Sequence, residues 1–210
     1  KESTASRESR WRSVPMSGKK TKQAGDTPGI LRLTVGPDDV SRFFPLFQEG
    51  VVLETETGGS VREFLCSTLG IDEGYVEGRI STIFLNSKPV DDLDTSIVDD
   101  GSVLALSAAM PGLVGATMRR GGYYAAMRSA ISYHPGEAHA AARQGRVRLK
   151  LFNMILEEIG PSLLASGVIA RADTLSGIVA GLVRDGLLEA GTEVKNTDEA
   201  RIVVVTRDGP

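Results

Sequence analysis

The sequence has one cysteine, Cys66, and two histidines, His134 and His139, in 210 residues. A lone cysteine excludes an internal disulfide and any cysteine-rich zinc or iron–sulfur site. Cys66 lies among apolar neighbours in "GGSVREFLCSTLG", where a small buried hydrophobe is expected rather than a reactive thiol. His134 and His139 are five apart and flank Pro135-Gly136. Helical ligand pairs sit four apart and no third ligand is evident, so they are weak metal candidates and no metal or other cofactor is expected. No apolar run approaches the ~20 residues of a membrane span. The first residues lack the apolar centre of an export signal, so a cytoplasmic protein is expected. A Ser-His-Asp set, a nucleophile elbow and a phosphate loop are also missing; "GLVGAT" at 112–117 lacks the Lys-Ser/Thr ending of the last. No enzymatic activity is expected.

What is present is a charge pattern hidden under a net charge of −3. Residues 1–29 carry seven basic and three acidic groups, and residues 30–109 carry five and fourteen. Residues 110–150 carry seven and one, and residues 151–210 carry five and nine. An acidic domain between two basic segments is either ordinary solvated surface or a field that steers a basic partner. Residues 1–29 are polar and without period, and a disordered basic tail is expected there.

From Ile30 periodicity begins. "ILRLTV" and "VVLETET" alternate apolar and polar residues, as half-buried strands do, and are expected to pair as a hairpin with a long connection. Ser60 and Glu63 have capping-box spacing, and Val61, Phe64, Leu65 and Leu69 share a face, so a helix is expected over 60–69, stopped by Gly70. "RISTIFLNSKPV" reads as a strand entering a tight turn, and "DDGSVLALSAA" as a turn before a strand buried on both faces. The expected core is Phe64, Leu65, Ile83, Leu85, Val103 and Leu106. A helix after a hairpin must cover one face of the sheet, which gives an α+β, ubiquitin-like β-grasp domain over 30–112.

The segment "FLNSKPVDDLDTSIVDDGSVLALSAAMPG" resembles the closing half of the sulfur-carrier group that includes the molybdopterin-synthase small subunit and the thiamine sulfur carrier (MoaD/ThiS). The resemblance covers about residues 30–112. It implies a protein that works with an adenylating, ubiquitin-activating-type enzyme or with an enzyme of molybdenum cofactor or other cofactor biosynthesis. In that group a flexible C-terminal Gly-Gly is adenylated and converted to a thiocarboxylate. The resemblance makes Arg119, Arg120, Gly121 and Gly122 the candidate carrier tail, with Pro111 and Gly112 the alternative position by alignment on the last strand. Gly122 is followed by Tyr123, so its carboxylate is not free. Either a precursor is cleaved after Gly122, or "PGLVGATMRRGG" is a glycine-rich connection and the protein is a non-catalytic interaction module.

A Gly/Ala/Arg-rich connector is expected over 113–146, followed by a small α+β unit over 147–210. There Leu149, Phe152, Ile155, Leu156, Ile159 and Leu163 have helical spacing, which predicts a helix over 148–160 that Pro161 kinks or ends. Asp173 is expected to cap a second helix, and "ARIVVVT" to form a terminal strand. The cadence of 175–209 also resembles a winged helix, as a protein-interaction or DNA-binding module; the candidate helix has only Arg184 as a base, so protein interaction is favoured and nucleic acid is not the expected partner. A homo-oligomer is the remaining partner expectation.

Overall fold

The computed structural model describes residues 30–134, 142–194 and 198–207; the expected basic tail 1–29 and His139 lie outside them. The chain runs β1 (Ile30–Val35), a 3-10 turn (Pro37–Phe43), α1 (Phe44–Glu49), β2 (Val51–Thr57), β3 (Gly59–Ser60) and α2 (Val61–Glu63) with a π-helical continuation (Phe64–Thr68). It continues through α3 (Glu73–Gly78), β4 (Thr82–Leu85), β5 (Lys88–Pro89), β6 (Ile97–Val98), β7 (Val103–Ser107), α4 (Gly112–Met118) and a 3-10 helix (Tyr123–Ile131). The remainder is β8 (Arg143–Phe152), α5 (Asn153–Ser166), β9 (Val168–Arg171), α6 (Ala172–Arg184) and β10 (Glu199–Thr206). This is an α+β arrangement.

Local signals formed where expected. Ser60 Oγ accepts from Glu63 N at 3.1 Å while Ser60 N donates to Glu63 Oε2 at 2.8 Å, a closed capping box. The helix then widens, with Leu69 N donating to Phe64 O at 3.0 Å, and Gly70 leaves it at φ +67°. Asn86 and Ser87 have φ of 51° and 66°, the two positive values that a two-residue turn between β4 and β5 requires. Phe64, Leu65, Ile83, Leu85 and Leu106 are buried as expected, whereas Val103 is half-buried, opposite Arg148.

Among the described residues ten strands form one eight-stranded sheet in the order β1-β10-β9-β2-β8-β7-β4-β5 and a small β3-β6 pair. The expected hairpin of β1 with β2 is therefore corrected: β10 and β9 stand between them. The reason lies in the connection, which is helical and sinks Val40, Phe43, Leu46 and Phe47 into the core, carrying the chain across the sheet. β1 instead pairs in parallel with β10, from Ile30↔Arg201 to Val35↔Thr206.

The sheet also does not divide at residues 112 and 146. β8 inserts between β2, antiparallel, and β7, parallel, so segments 30–112 and 147–210 share one sheet and one hydrophobic core. The expected connector holds α4, the 3-10 helix and the start of β8. The helix expected over 148–160 begins only at Asn153, at φ 55°, and runs through Pro161 to Ser166. Val147, Leu149 and Leu151 point into the core while Arg148 and Lys150 alternate with them; pairing to β7 holds 148–152 extended, and β2 pairs on the other edge as far as Leu149. Asp173 lies in the first turn of α6, with Arg171 at the cap position. Helix α5 packs on β7, β8 and β10, and α6 on β9 and β10. The opposite face carries cross-strand ion pairs, Glu54 with Arg201 and Arg146 with Glu199.

Candidate functional site

The candidate tail is reached through α4, which starts after Pro111 with Gly112 at φ +76°. Gly115 is buried, and a Cβ there would stand 2.0 Å from Met110 O, so α4 closes onto the preceding loop only with glycine at this position. Past Met118 the chain straightens at Arg119, turns at Gly121 (φ +61°) and enters the 3-10 helix from Gly122. Gly122 N donates to Arg119 O at 3.2 Å, and Gly122 O accepts from Ala125 N at 2.9 Å. Arg119, Arg120, Gly121 and Gly122 thus form the corner of a folded helical hairpin, and the alternative pair Pro111 and Gly112 forms its entry.

Two arginines clamp this hairpin. Arg120 N donates to Ser81 O at 2.8 Å, and its guanidinium reaches Glu77 Oε2 at 2.9 Å and Val76 O at 3.0 Å. Glu77 is shared with Arg62, which also binds Asp94 and Glu73. The Arg62 and then the Arg120 guanidinium hold the Glu77 carboxyl below the usual carboxylate range. Arg128 is only 4% exposed and grips Asp91 with both terminal nitrogens, at 2.9 and 2.7 Å. It also donates to Thr117 O at 2.6 Å and to Ser132 Oγ at 2.7 Å. Tyr133 N then donates to Pro89 O at 2.8 Å, so the returning chain lies on the β5 edge. Arg119 alone of the three arginines is exposed, with no carboxylate partner among the described residues.

The outward side of the hairpin is apolar. Leu113 is 72% exposed, Val114 64%, Tyr123 91%, Tyr124 39%, Met127 77% and Ile131 53%. The Tyr123 and Tyr124 rings meet edge to face with centroids 5.1 Å apart. This surface was not anticipated; its signal was the freedom from charge of 108–118 and 121–127 in a chain that is 24% charged.

The other candidates are dispersed. His134 is exposed, with Nε2 3.1 Å from Ser129 O, and no group of three His, Cys, Asp or Glu among the described residues is placed to hold a metal. Cys66 is half-buried, and burial pushes its thiol up, away from the thiolate. The winged-helix cadence is not realised among the described residues: α6 is followed by the single strand β10, and its one base, Arg184, lies 3.6 Å from Asp185. No described helix is long and apolar enough to cross a membrane. Comparison of the chain with protein-family models, curated proteins and solved structures gave no match.

Proposed function

We infer that this protein is a non-catalytic, ubiquitin-like interaction module related in build to the sulfur carriers of the MoaD/ThiS type. In a β-grasp the first and last strands run parallel at the sheet centre, and the helix after the second strand crosses one face. The order β2-β8-β7-β4-β5, with β7 and β8 parallel and α2 following β2, supports that reading if β8 serves as the first strand. The β-grasp would then be a rearranged one, its first strand drawn from later in the chain.

The observation that carries the module reading over the carrier reading is the position of β8. A carrier acts through a free C-terminal carboxylate on a chain that moves on its own, and a fragment ending at Gly122 that departed would lack β8, which pairs with β2 on one side and β7 on the other. Every backbone bond that β2 and β7 make to β8 would be left open. The intact chain therefore acts by binding. Its partner is an adenylating enzyme or another enzyme of sulfur or molybdenum cofactor metabolism, met through a basic surface that complements the fourteen acidic groups of residues 30–109. A cytoplasmic setting belongs to the same proposal.

Intact mass of the natively expressed protein, paired with a chain truncated after Gly122, tests this. The expected result is a full-length population and a truncated chain without cooperative unfolding. A native fragment ending at Gly122 that accepts adenylate from an activating enzyme would establish the carrier precursor instead.

A further inference from the structure

The outward side of residues 112–131 differs from the rest of the surface in chemistry as well as exposure. Between Gly121 and Tyr133 the one charged side chain is Arg128, which is buried, and from Ala108 to Met118 there is none. Arg120 is turned inward to Glu77. The face left to solvent is Leu113, Val114, Tyr123, Tyr124, Met127 and Ile131, with Arg119 as its only cation. Large exposed apolar side chains gathered on two helices that pack together mark an interaction site.

The geometry points to this face as the docking surface for a second copy of the same chain. Charge decides among the possible occupants. A helix resting on a bilayer holds to it through lysines and arginines on its polar side, and here one arginine serves a chain whose net charge of −3 opposes an anionic leaflet. The chain's own residues 1–29 bring ten charged groups and few apolar ones, so they gain little by covering a neutral surface. A strongly acidic or basic protein finds no complement here beyond Arg119. A second copy presents the same largely uncharged side chains, so a two-fold contact strips water from apolar groups on both sides, with Arg119 the charged group it must accommodate. Tyrosine, methionine and arginine without lysine, glutamate or aspartate is also the composition of an interface centre. A standard interface takes about 800 Å² from each partner, and six large side chains this exposed, with Ala126 and Ala130 between them, supply an area of that order.

The clamp makes the surface ready to bind. Arg128 and Arg120 fix the hairpin from its inner side, so association orders side chains but little backbone.

Sedimentation velocity of the full chain between roughly 1 and 100 µM tests the assignment. Dimer is expected, and Tyr123→Asp or Met127→Asp should each weaken it at least ~30-fold, the loss typical of an interface hot spot. Both side chains stand in solvent in the single copy, so circular dichroism should show both variants folded. A wild-type chain that stays monomeric throughout the range overturns the proposal. So do folded variants that dimerise as well as wild type, since the contact then lies elsewhere. Flotation with phosphatidylcholine/phosphatidylglycerol vesicles should show no binding; vesicle-bound monomer would assign the face to lipid and overturn it as well.

Discussion

Ser87 holds a left-handed backbone at φ 66° that an L-residue other than asparagine or glycine adopts at some cost. Asn86, beside it at φ 51°, is better suited and is fixed besides, its Oδ1 accepting from Val103 N at 2.8 Å. Ser87 is exposed and has no comparable tie among the described residues. Replacing Ser87 by glycine should therefore stabilise the fold by about 0.5–1 kcal/mol, part of the relief being offset by the freer unfolded chain. Thermal unfolding reads the result, and a lower melting temperature would mean the turn is not strained. Features of this kind were legible because they are local. The Asn-Ser-Lys turn and the Ser60/Glu63 capping box each need only a few adjacent residues. The demand for glycine at 115 was not legible, because it comes from Met110 O folding back across α4's entry.

At the level of elements, the Arg62–Glu77–Arg120 relay fastens the hairpin to α3 and the helix after β2. Glu77 is held below its ordinary 4.5, so its folded value lies under its unfolded one. The contribution is complete above that ordinary value and is lost as pH falls through the lower, folded one. Glu77 is 46% exposed, which limits the contribution to about 1 kcal/mol or less. Wild type should accordingly be more stable than Glu77→Gln at pH 7, with the gap closing as pH falls below 4.5. Urea titrations across that range measure the gap; one that stays constant with pH would show that the glutamate acts through packing alone. The same level holds the main misreading of the sequence. Leu149, Phe152, Ile155 and Leu156 fit a helical period, while Val147, Leu149 and Leu151 fit an alternating one. Both patterns share Leu149, and only the pairing to β2 and β7 decides for the strand. At four residues, β9 was too short to give any period.

For the molecule as a whole, one core reaches from Leu33 on β1 to Leu85 on β4, near opposite edges of the sheet, so damage at its centre should not stay local. Leu106 is fully buried on β7, between β4 and β8. An aspartate there would face a core with no cation to meet it, a cost of roughly 4 kcal/mol or more against a typical stability of about 5–15. Leu106→Asp should leave no cooperative unfolding transition, including for the β1–β10 edge far from the substitution. If that edge kept slow amide exchange, the sheet would be two folding units rather than one. Much of the sheet's composition was visible in the sequence, but its order was not, since no periodicity records which distant strand lies beside which.

The parallel pair at that edge joins opposite ends of the described chain, Ile30 meeting Arg201. During synthesis β1 leaves the ribosome before every other described strand, and β10, its sheet neighbour among the described residues, leaves after them all. At ordinary elongation rates the interval is roughly 10–30 s, far longer than a hairpin takes to close. Throughout it, six residues with a single charge offer unsatisfied backbone to any passing strand. The nascent chain thus has a window of vulnerability set by topology rather than by stability, and strengthening the finished fold would not shorten it.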